Sequence, residues 1–166
     1  EGNTPAWGAV FEQYFQEIDK VKGQKGVLSV EKKLFVETNN GTNRQIRPVT
    51  PEQPLRIGDK VIVRLTIRTD REMNYVFLKD LRAGCFEPAD QLSGPESRDG
   101  IWYYRSPKDV SENFFINRLP EGTFVLEYPV YVSRSGEYAG GISTIQCMYA
   151  PEFVSHTAGE SLRIMP

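Results

Sequence analysis

Two stretches of this chain alternate between apolar and polar side chains in the way a half-buried β-strand does. In residues 60–68, Val61, Val63, Leu65 and Ile67 are apolar, and Lys60, Arg64, Thr66 and Arg68 stand between or beside them. In residues 123–133, Phe124, Leu126, Tyr128, Val130 and Val132 share one parity, and Thr123, Glu127 and Pro129 share the other. Successive side chains of a strand point to opposite faces, so a period of two predicts one face in a core and one in water. The helical period of 3.6 cannot produce it. Pro129 lacks an N–H for a ladder, which favours an edge strand or a bulge for the second stretch.

Weaker versions of the pattern fill the rest of the chain. Residues 27–38 read as a strand with Val30, Leu34 and Val36 on one face, interrupted by Lys32. Further strands are expected at 74–82, 113–118, 142–149 and 160–165, with Ala150-Pro151 ending the strand before it. Between them stand turn formers: Asn39-Asn40-Gly41, Gly58-Asp59, Ser93-Gly94-Pro95, Pro120-Glu121-Gly122 and Ser135-Gly136. Glycine and asparagine supply left-handed backbone and proline a fixed φ where a chain reverses. Asp70-Arg71-Glu72-Met73-Asn74 reads as a hairpin turn, and residues 84–111 as a long connection holding one short strand at 101–104. Many short strands at this spacing predict an all-β, antiparallel β-sandwich over about residues 27–165, with roughly seven or eight strands.

The first residues stand apart. Trp7, Ala9, Phe11 and Phe15 fall on one strand face, and Val10 and Tyr14 on the other, so this segment is apolar on both sides. A strand wet on one face would alternate instead. A helix over residues 8–19 also suits the segment, because Glu12, Gln13, Gln16, Glu17 and Lys20 tolerate one. The expected division is residues 1–26, an extra N-terminal strand and linker from a junction with a preceding domain, and residues 27–166, the sandwich. Trp7, Phe11 and Phe15 are the candidate interdomain contacts.

Length and composition exclude several classes of function. A chain of 166 residues can bury roughly 70% of its unfolded surface. A net charge of −2 argues against a nucleic-acid partner, which needs a basic patch. No apolar run is long enough to insert in a membrane as a helix. The chain begins at Glu1 rather than Met, as expected of a piece of a longer or processed protein. The cysteines, Cys85 and Cys147, fit either one disulfide in an oxidising compartment or two small buried thiols. No cofactor or metal site is expected, since His156 is the only histidine and zinc sites need several His or Cys ligands. Ser155 beside it lacks the Gly-x-Ser-x-Gly turn of an exposed nucleophile, so no catalytic residue is expected and His156 reads as a polar turn residue. Asp70, Asp80, Glu87, Asp90, Asp99, Asp109 and Glu112 read mostly as solvated turn or strand-end residues. Trp102, Tyr103, Tyr104, Phe114 and Phe115 read mainly as core. A platform for glycan or peptide built from them is the alternative, and would make the chain a free-standing binding module.

The stretch Ile142-Ser143-Thr144-Ile145-Gln146-Cys147-Met148-Tyr149-Ala150-Pro151-Glu152-Phe153-Val154-Ser155-His156-Thr157-Ala158-Gly159-Glu160 resembles the C-terminal signature of bacterial alpha-2-macroglobulin family proteins. Leu55-Arg56-Ile57-Gly58-Asp59-Lys60-Val61 resembles the entry to the terminal domain of those proteins, as do Asn74 through Ala83 and Phe86-Glu87-Pro88. Tyr103-Tyr104-Arg105 through Asn113-Phe114-Phe115 and Arg118-Leu119-Pro120-Glu121-Gly122-Thr123-Phe124 are similar too, and Trp7-Gly8-Ala9 looks like the strand before this domain. The resemblance implies a macroglobulin-like β-sandwich comparable in position to the receptor-binding domain of the animal proteins. It implies a non-catalytic structural and interaction domain of a large parent that traps proteases as a broad-spectrum endopeptidase inhibitor. That parent is expected in the periplasm or cell envelope, secreted and in many cases lipid-anchored. The partners are then the preceding domains of the same chain, with proteases engaged only through the whole parent. The family's reactive thioester joins a cysteine to a glutamine three residues on. Here Cys85 precedes Phe86-Glu87-Pro88 and Cys147 precedes Met148-Tyr149-Ala150, so neither forms it.

Overall fold

Alternation of polarity becomes alternation of burial wherever the sequence is most regular. The computed structural model describes Gly23, residues 26–41 and residues 43–166. The strand expected at residues 6–18, with Trp7, Phe11 and Phe15, lies outside the described residues. In chain order the strands are β1 (Leu28–Asn40), β2 (Asn43–Pro48), β3 (Leu55–Arg56), β4 (Lys60–Thr69), β5 (Met73–Leu81), β6 (Phe86–Pro88) and β7 (Gly94–Arg98). There follow β8 (Ile101–Pro107), β9 (Ser111–Leu119), β10 (Gly122–Val132), β11 (Gly136–Ala139), β12 (Ser143–Cys147), β13 (Ala150–His156) and β14 (Ser161–Met165). No helix occurs among the described residues.

The strands form a five-stranded sheet ordered β2-β1-β4-β10-β6, a six-stranded sheet ordered β13-β12-β5-β9-β8-β7, and a three-stranded sheet ordered β11-β14-β3. Pairing is antiparallel except for β14 with β3. Residues 70–72 are therefore not a hairpin turn: β4 and β5 belong to different sheets, and the segment carries the chain from one to the other. Residues 84–111 hold three strands rather than one. The signal there is Asp99-Gly100, which joins β7 to β8 in a two-residue loop with φ of +52° and +81°, the geometry that Asp-Gly favours in hairpins. The strand after Ala150 also departs from expectation. The hairpin turns at Met148-Tyr149, and β13 runs on through Pro151 as the sheet's outermost strand. The register slips there, so that Cys147 faces Ala150 while Gln146 faces Val154, and the proline lies in an irregular edge segment that needs no ladder donor.

Pro129 sits inside β10, flanked by β4 and β6. Its carbonyl accepts from Ala89 N on the β6 side. N–H and C=O of one strand residue point to the same side, so the missing donor falls where β6 has already ended, and the ladder to β4 runs past it unbroken.

The core lies between the five- and six-stranded sheets. Val61, Val63, Leu65 and Ile67 of β4 and Leu126, Tyr128 and Val130 of β10 are buried as expected, and Phe124 with them. They face Val76 and Leu78 of β5, Phe114 and Ile116 of β9, and Ile145 of β12 in one continuous cluster. Each such apolar side chain contributes about 1.5–3 kcal/mol on burial.

Lys32 keeps the parity of Val30 and Leu34, so β1 holds its register and carries an ammonium into the core. Lys32 Nζ donates to Asp80 Oδ1 at 2.8 Å, to the Leu81 carbonyl at 3.0 Å and to the Gly140 carbonyl at 3.3 Å. All three of its donors are thereby used. Asp80, expected to be solvated, is wholly buried. It also accepts from Ser143 Oγ at 2.7 Å and, through a short contact, from the Tyr128 hydroxyl. The carboxylate thus takes donors from β1 and β10 of one sheet and β12 of the other. Gly141 makes this possible. Its φ is +74°, and a Cβ there would stand 2.0 Å from the Leu81 carbonyl oxygen. Only glycine lets the 140–142 segment press close enough to bring the Gly140 carbonyl to Lys32.

Glu112 is likewise buried rather than solvated. Arg82 Nη1 donates to it at 2.8 Å, and Arg105 Nε donates through a short contact. Arg105 also reaches Glu96 at the rim, at 3.4 Å. Burial pushes the Glu112 carboxyl up, against the pull of Arg105 and Arg82.

Removing one member of a buried pair leaves the other charge uncompensated, at a cost of about 3–5 kcal/mol. Asp80→Ala is expected to lower the unfolding free energy by about that amount in urea melts of the full chain. Combined with Lys32→Met, the two losses are expected to fall short of their sum, because the second change removes the stranded ammonium. Additive losses would contradict the pairing.

Candidate interaction surface

The outward faces of the six-stranded sheet carry side chains that a soluble surface normally lacks. Along β8 the alternation puts Ile101 and Tyr103 inside and Trp102 and Tyr104 outside. On β9 it puts Phe114 inside and Phe115 outside. The five aromatics read as core from the sequence are thus divided. Tyr103 and Phe114 pack edge to face at 5.7 Å, and burial, with Glu96 beside it, pushes the Tyr103 phenol up to about 12. Trp102 is 70% exposed, and Tyr104 and Phe115 are exposed as well.

Strand register sets the exposed aromatics in a row. Pro95 faces Tyr104, Tyr104 faces Phe115, and Phe115 faces Phe77. Phe77 and Phe115 stack with ring centroids 4.9 Å apart. A shallow groove of about 400 Å³ runs beside this row, lined among others by Trp102, Tyr104, Phe115, Asn117 and Pro120. Contiguous exposed apolar surface of this kind marks contact sites more often than single exposed residues do.

A second apolar feature lies toward the other end of the same sheet, at β12 and β13. The β12–β13 hairpin turns through Met148 and Tyr149, and Tyr149 is 80% exposed with Met148 exposed beside it. The turn does not hang free. Cys147 Sγ donates to the Asn74 carbonyl at 3.4 Å, Met148 N donates to the Tyr75 carbonyl at 2.8 Å, and the Tyr75 and Tyr149 rings meet edge to face at 5.0 Å. Tyr75 has a φ of +57°. The left-handed region costs a non-glycine residue about 1–3 kcal/mol. Tyr75 is absent from the β5–β9 ladder, which passes from Asn74–Arg118 to Val76–Ile116. Asn74 and Tyr75 are consequently both exposed, and the in-out alternation of β5 fails at this one place.

A larger cleft of about 690 Å³ opens between β1, the β2–β3 connection and β14, lined by Leu34, Val49, Pro54 and Leu162 with Lys33 and Glu160 at its rim. Among the described residues no hydrogen bond joins its Thr50 or Ser161 hydroxyl to a base. Among the described residues no three His, Cys, Asp or Glu side chains converge as metal ligands do.

The family comparison and the structural comparison agree with each other. The family model of the bacterial alpha-2-macroglobulin MG10 domain matches residues 28–152. Among solved structures, Salmonella alpha-2-macroglobulin reacted with methylamine is similar over 87% of this chain and 10% of its own, at 21% identity and a TM-score of 0.67. Escherichia coli alpha-2-macroglobulin activated by porcine elastase is similar over 87% of this chain and 14% of its own, at 18% identity and a TM-score of 0.68. Among curated proteins, Circularly permutated Ras protein 2 of Dictyostelium discoideum is 28% identical over 109 residues, which are 66% of this chain and 3% of that protein. The chain therefore spans a small part of the proteins it matches.

The remaining residues singled out from sequence fall in unreactive places. His156 closes β13 with Nδ1 3.0 Å from the Thr157 carbonyl oxygen, and Ser155 beside it is fully buried. Cys85 and Cys147 are both buried and free, so the bridge considered between them is not formed in this structure. Cys85 lies in the β5–β6 connection, where its carbonyl accepts from Ser133 N and Oγ. Cys147 ends β12. Burial pushes the Cys85 thiol up to about 11. The thiolate is the reactive form, so the Cys85 thiol should resist iodoacetamide in the native chain at pH 8 and be alkylated promptly in denaturant. Prompt native alkylation at Cys85, located by peptide mass, would contradict this burial.

Proposed function

The chain belongs to the bacterial alpha-2-macroglobulin MG10 domain family, and from that premise we propose that it is a non-catalytic interaction domain at the C-terminal end of a protease-trapping parent. Its work is to pack against the preceding domains, the thioester-bearing region above all, and to hold the parent in its unreacted conformation. In this reading residues 1–26 come from the junction with the preceding domain, and Trp7, Phe11 and Phe15 belong to that interface. Proteases are engaged only through the whole parent, which resides in the periplasm or cell envelope, with a lipid anchor as a further expectation.

The observation that carries the reading is the Met148–Tyr149 turn. Two large apolar side chains stand in solvent on a turn that is held by its neighbours rather than left loose. Such a feature is unfavourable in an isolated surface and favourable when a neighbouring domain covers it. The related proteins described as reacted with methylamine or activated by elastase support a parent that changes state.

The exposed row of Trp102, Tyr104 and Phe115 favours a second reading, a binding module for glycan or peptide. Oligosaccharide titrations followed by tryptophan fluorescence discriminate it: saturable quenching that Trp102→Ala abolishes would favour the module.

The primary reading is tested by placing Met148→Ser with Tyr149→Ser in the intact parent. Small-angle scattering is expected to show a larger share of the reacted shape before any protease is added. The purified chain alone is expected to leave trypsin and elastase uninhibited. An unchanged scattering profile, or inhibition by the isolated chain, would overturn it.

A further inference from the structure

We propose that Tyr75 is the positioning residue of the Met148–Tyr149 turn, holding it in the one arrangement that fits an apolar socket on a preceding domain. The inference rests on the reading of that turn as a contact surface, but Tyr75 lies on a different strand, and nothing in the turn's own sequence points to it.

The geometry assigns Tyr75 this part in two ways. Its backbone is left-handed, with φ of +57°, where an L side chain with a bulky ring is uncommon. Regular β-strand backbone at this position would keep Tyr75 in the β5–β9 ladder. The left-handed turn instead takes it out of that ladder, and its carbonyl accepts from Met148 N at 2.8 Å. The side chain then stands outside the sheet, its ring edge to face with Tyr149 at 5.0 Å. Asn74, next in the chain, takes the third contact, from Cys147 Sγ. Three contacts from two consecutive residues thus fix three consecutive residues of the hairpin.

Strained backbone persists only where its surroundings over-determine it, and it gathers at sites that must be preorganised. The core gains nothing from Tyr75, whose ring is exposed. What the strain secures is the orientation of two apolar side chains. A flexible Met-Tyr pair would lose rotamer freedom on docking, and one already fixed loses less. The partner that suits it is a concave apolar surface wide enough for a thioether and a phenol side by side, on the same parent chain.

The test uses the full chain with Tyr75→Asn and Tyr75→Phe. Asparagine tolerates left-handed backbone and removes the ring; phenylalanine keeps the ring and removes only the hydroxyl. Amide exchange at Met148 and the NMR order of a labelled Tyr149 ring are the readouts. Tyr75→Asn is expected to speed Met148 exchange at least tenfold and to disorder the Tyr149 ring. Its melting temperature should stay within about 4 °C of the unaltered chain. Tyr75→Phe is expected to retain both signals. The proposal is overturned if Tyr75→Asn leaves both signals unchanged, if Tyr75→Phe disturbs them equally, or if exchange rises only in step with global unfolding. In the intact parent, Tyr75→Asn should shift scattering in the same direction as the Met148 and Tyr149 changes, and less far. A disordered turn in the chain with no shift in the parent would leave the positioning role standing and overturn the contact reading.

Discussion

A carboxylate taken out of water needs its hydrogen bonds replaced, and Asp80 has them replaced from both sheets at once. Lys32 and Tyr128 reach it from β1 and β10, and Ser143 from β12. An apolar interface of this kind tolerates small shifts of one sheet over the other, because dispersion and burial have no direction. A charged node with fixed donors does not, since any slip strands an ion in a low-dielectric interior. The node therefore sets the relative placement of the sheets, and the surrounding Val, Leu and Phe side chains supply most of the favourable free energy. One strand further along, the buried Glu112 takes its donors from Arg105 of β8 and from Arg82 just past β5, all within the six-stranded sheet. At the rim, pairs such as Arg118 with Glu72 are exposed and screened by solvent, so they add little.

The placement of β5 has consequences beyond the core. Asp80 stands near its C-terminal end, anchored on both sides, and Tyr75 stands near its N-terminal end, where the ladder to β9 lapses. Between them Val76 and Leu78 are buried and Phe77 joins the outer aromatic row. One strand thus carries the clamp, part of the exposed aromatic row and the seat of the projecting turn. The surface features are rigid because the strand that bears them is pinned from within. The interaction role proposed above would use this combination: an interior that fixes the sheet, and an exterior whose apolar groups are already in place.

Much of this was legible in the sequence, and the reasons for the remainder are physical. The period of two located β1, β4 and β10 and the faces they bury, because one wet face leaves a clean trace. The ionisable core was legible too, by the same rule applied to charges. Lys32 shares parity with Val30 and Leu34, Asp80 with Val76 and Leu78, Glu112 with Phe114 and Ile116, and Arg105 with Ile101 and Tyr103. Cations and anions that share core parity can be paired with one another, and Arg82, next past β5, adds a third cation, whereas the expectation of solvated acids came from residue type alone. Asp99-Gly100 likewise announces a hairpin within the segment read as a connection. The three-stranded sheet was not legible, since β3 has only two residues and its partner lies more than a hundred positions away. Nor was the left-handed Tyr75, because tyrosine between asparagine and valine gives no hint of positive φ. Its conformation follows from what the β12–β13 turn requires.

The central claim is that Asp80 joins the two large sheets into one cooperative body. Amide hydrogen exchange resolved by strand, on the unaltered chain and on Asp80→Asn, tests it most directly. The account predicts that β1 and β10 lose protection by the same factor as β5 and β12, since opening either sheet breaks the shared node. If β5 and β12 lose protection while β1 and β10 keep theirs, the sheets open independently and the clamp is not what joins them.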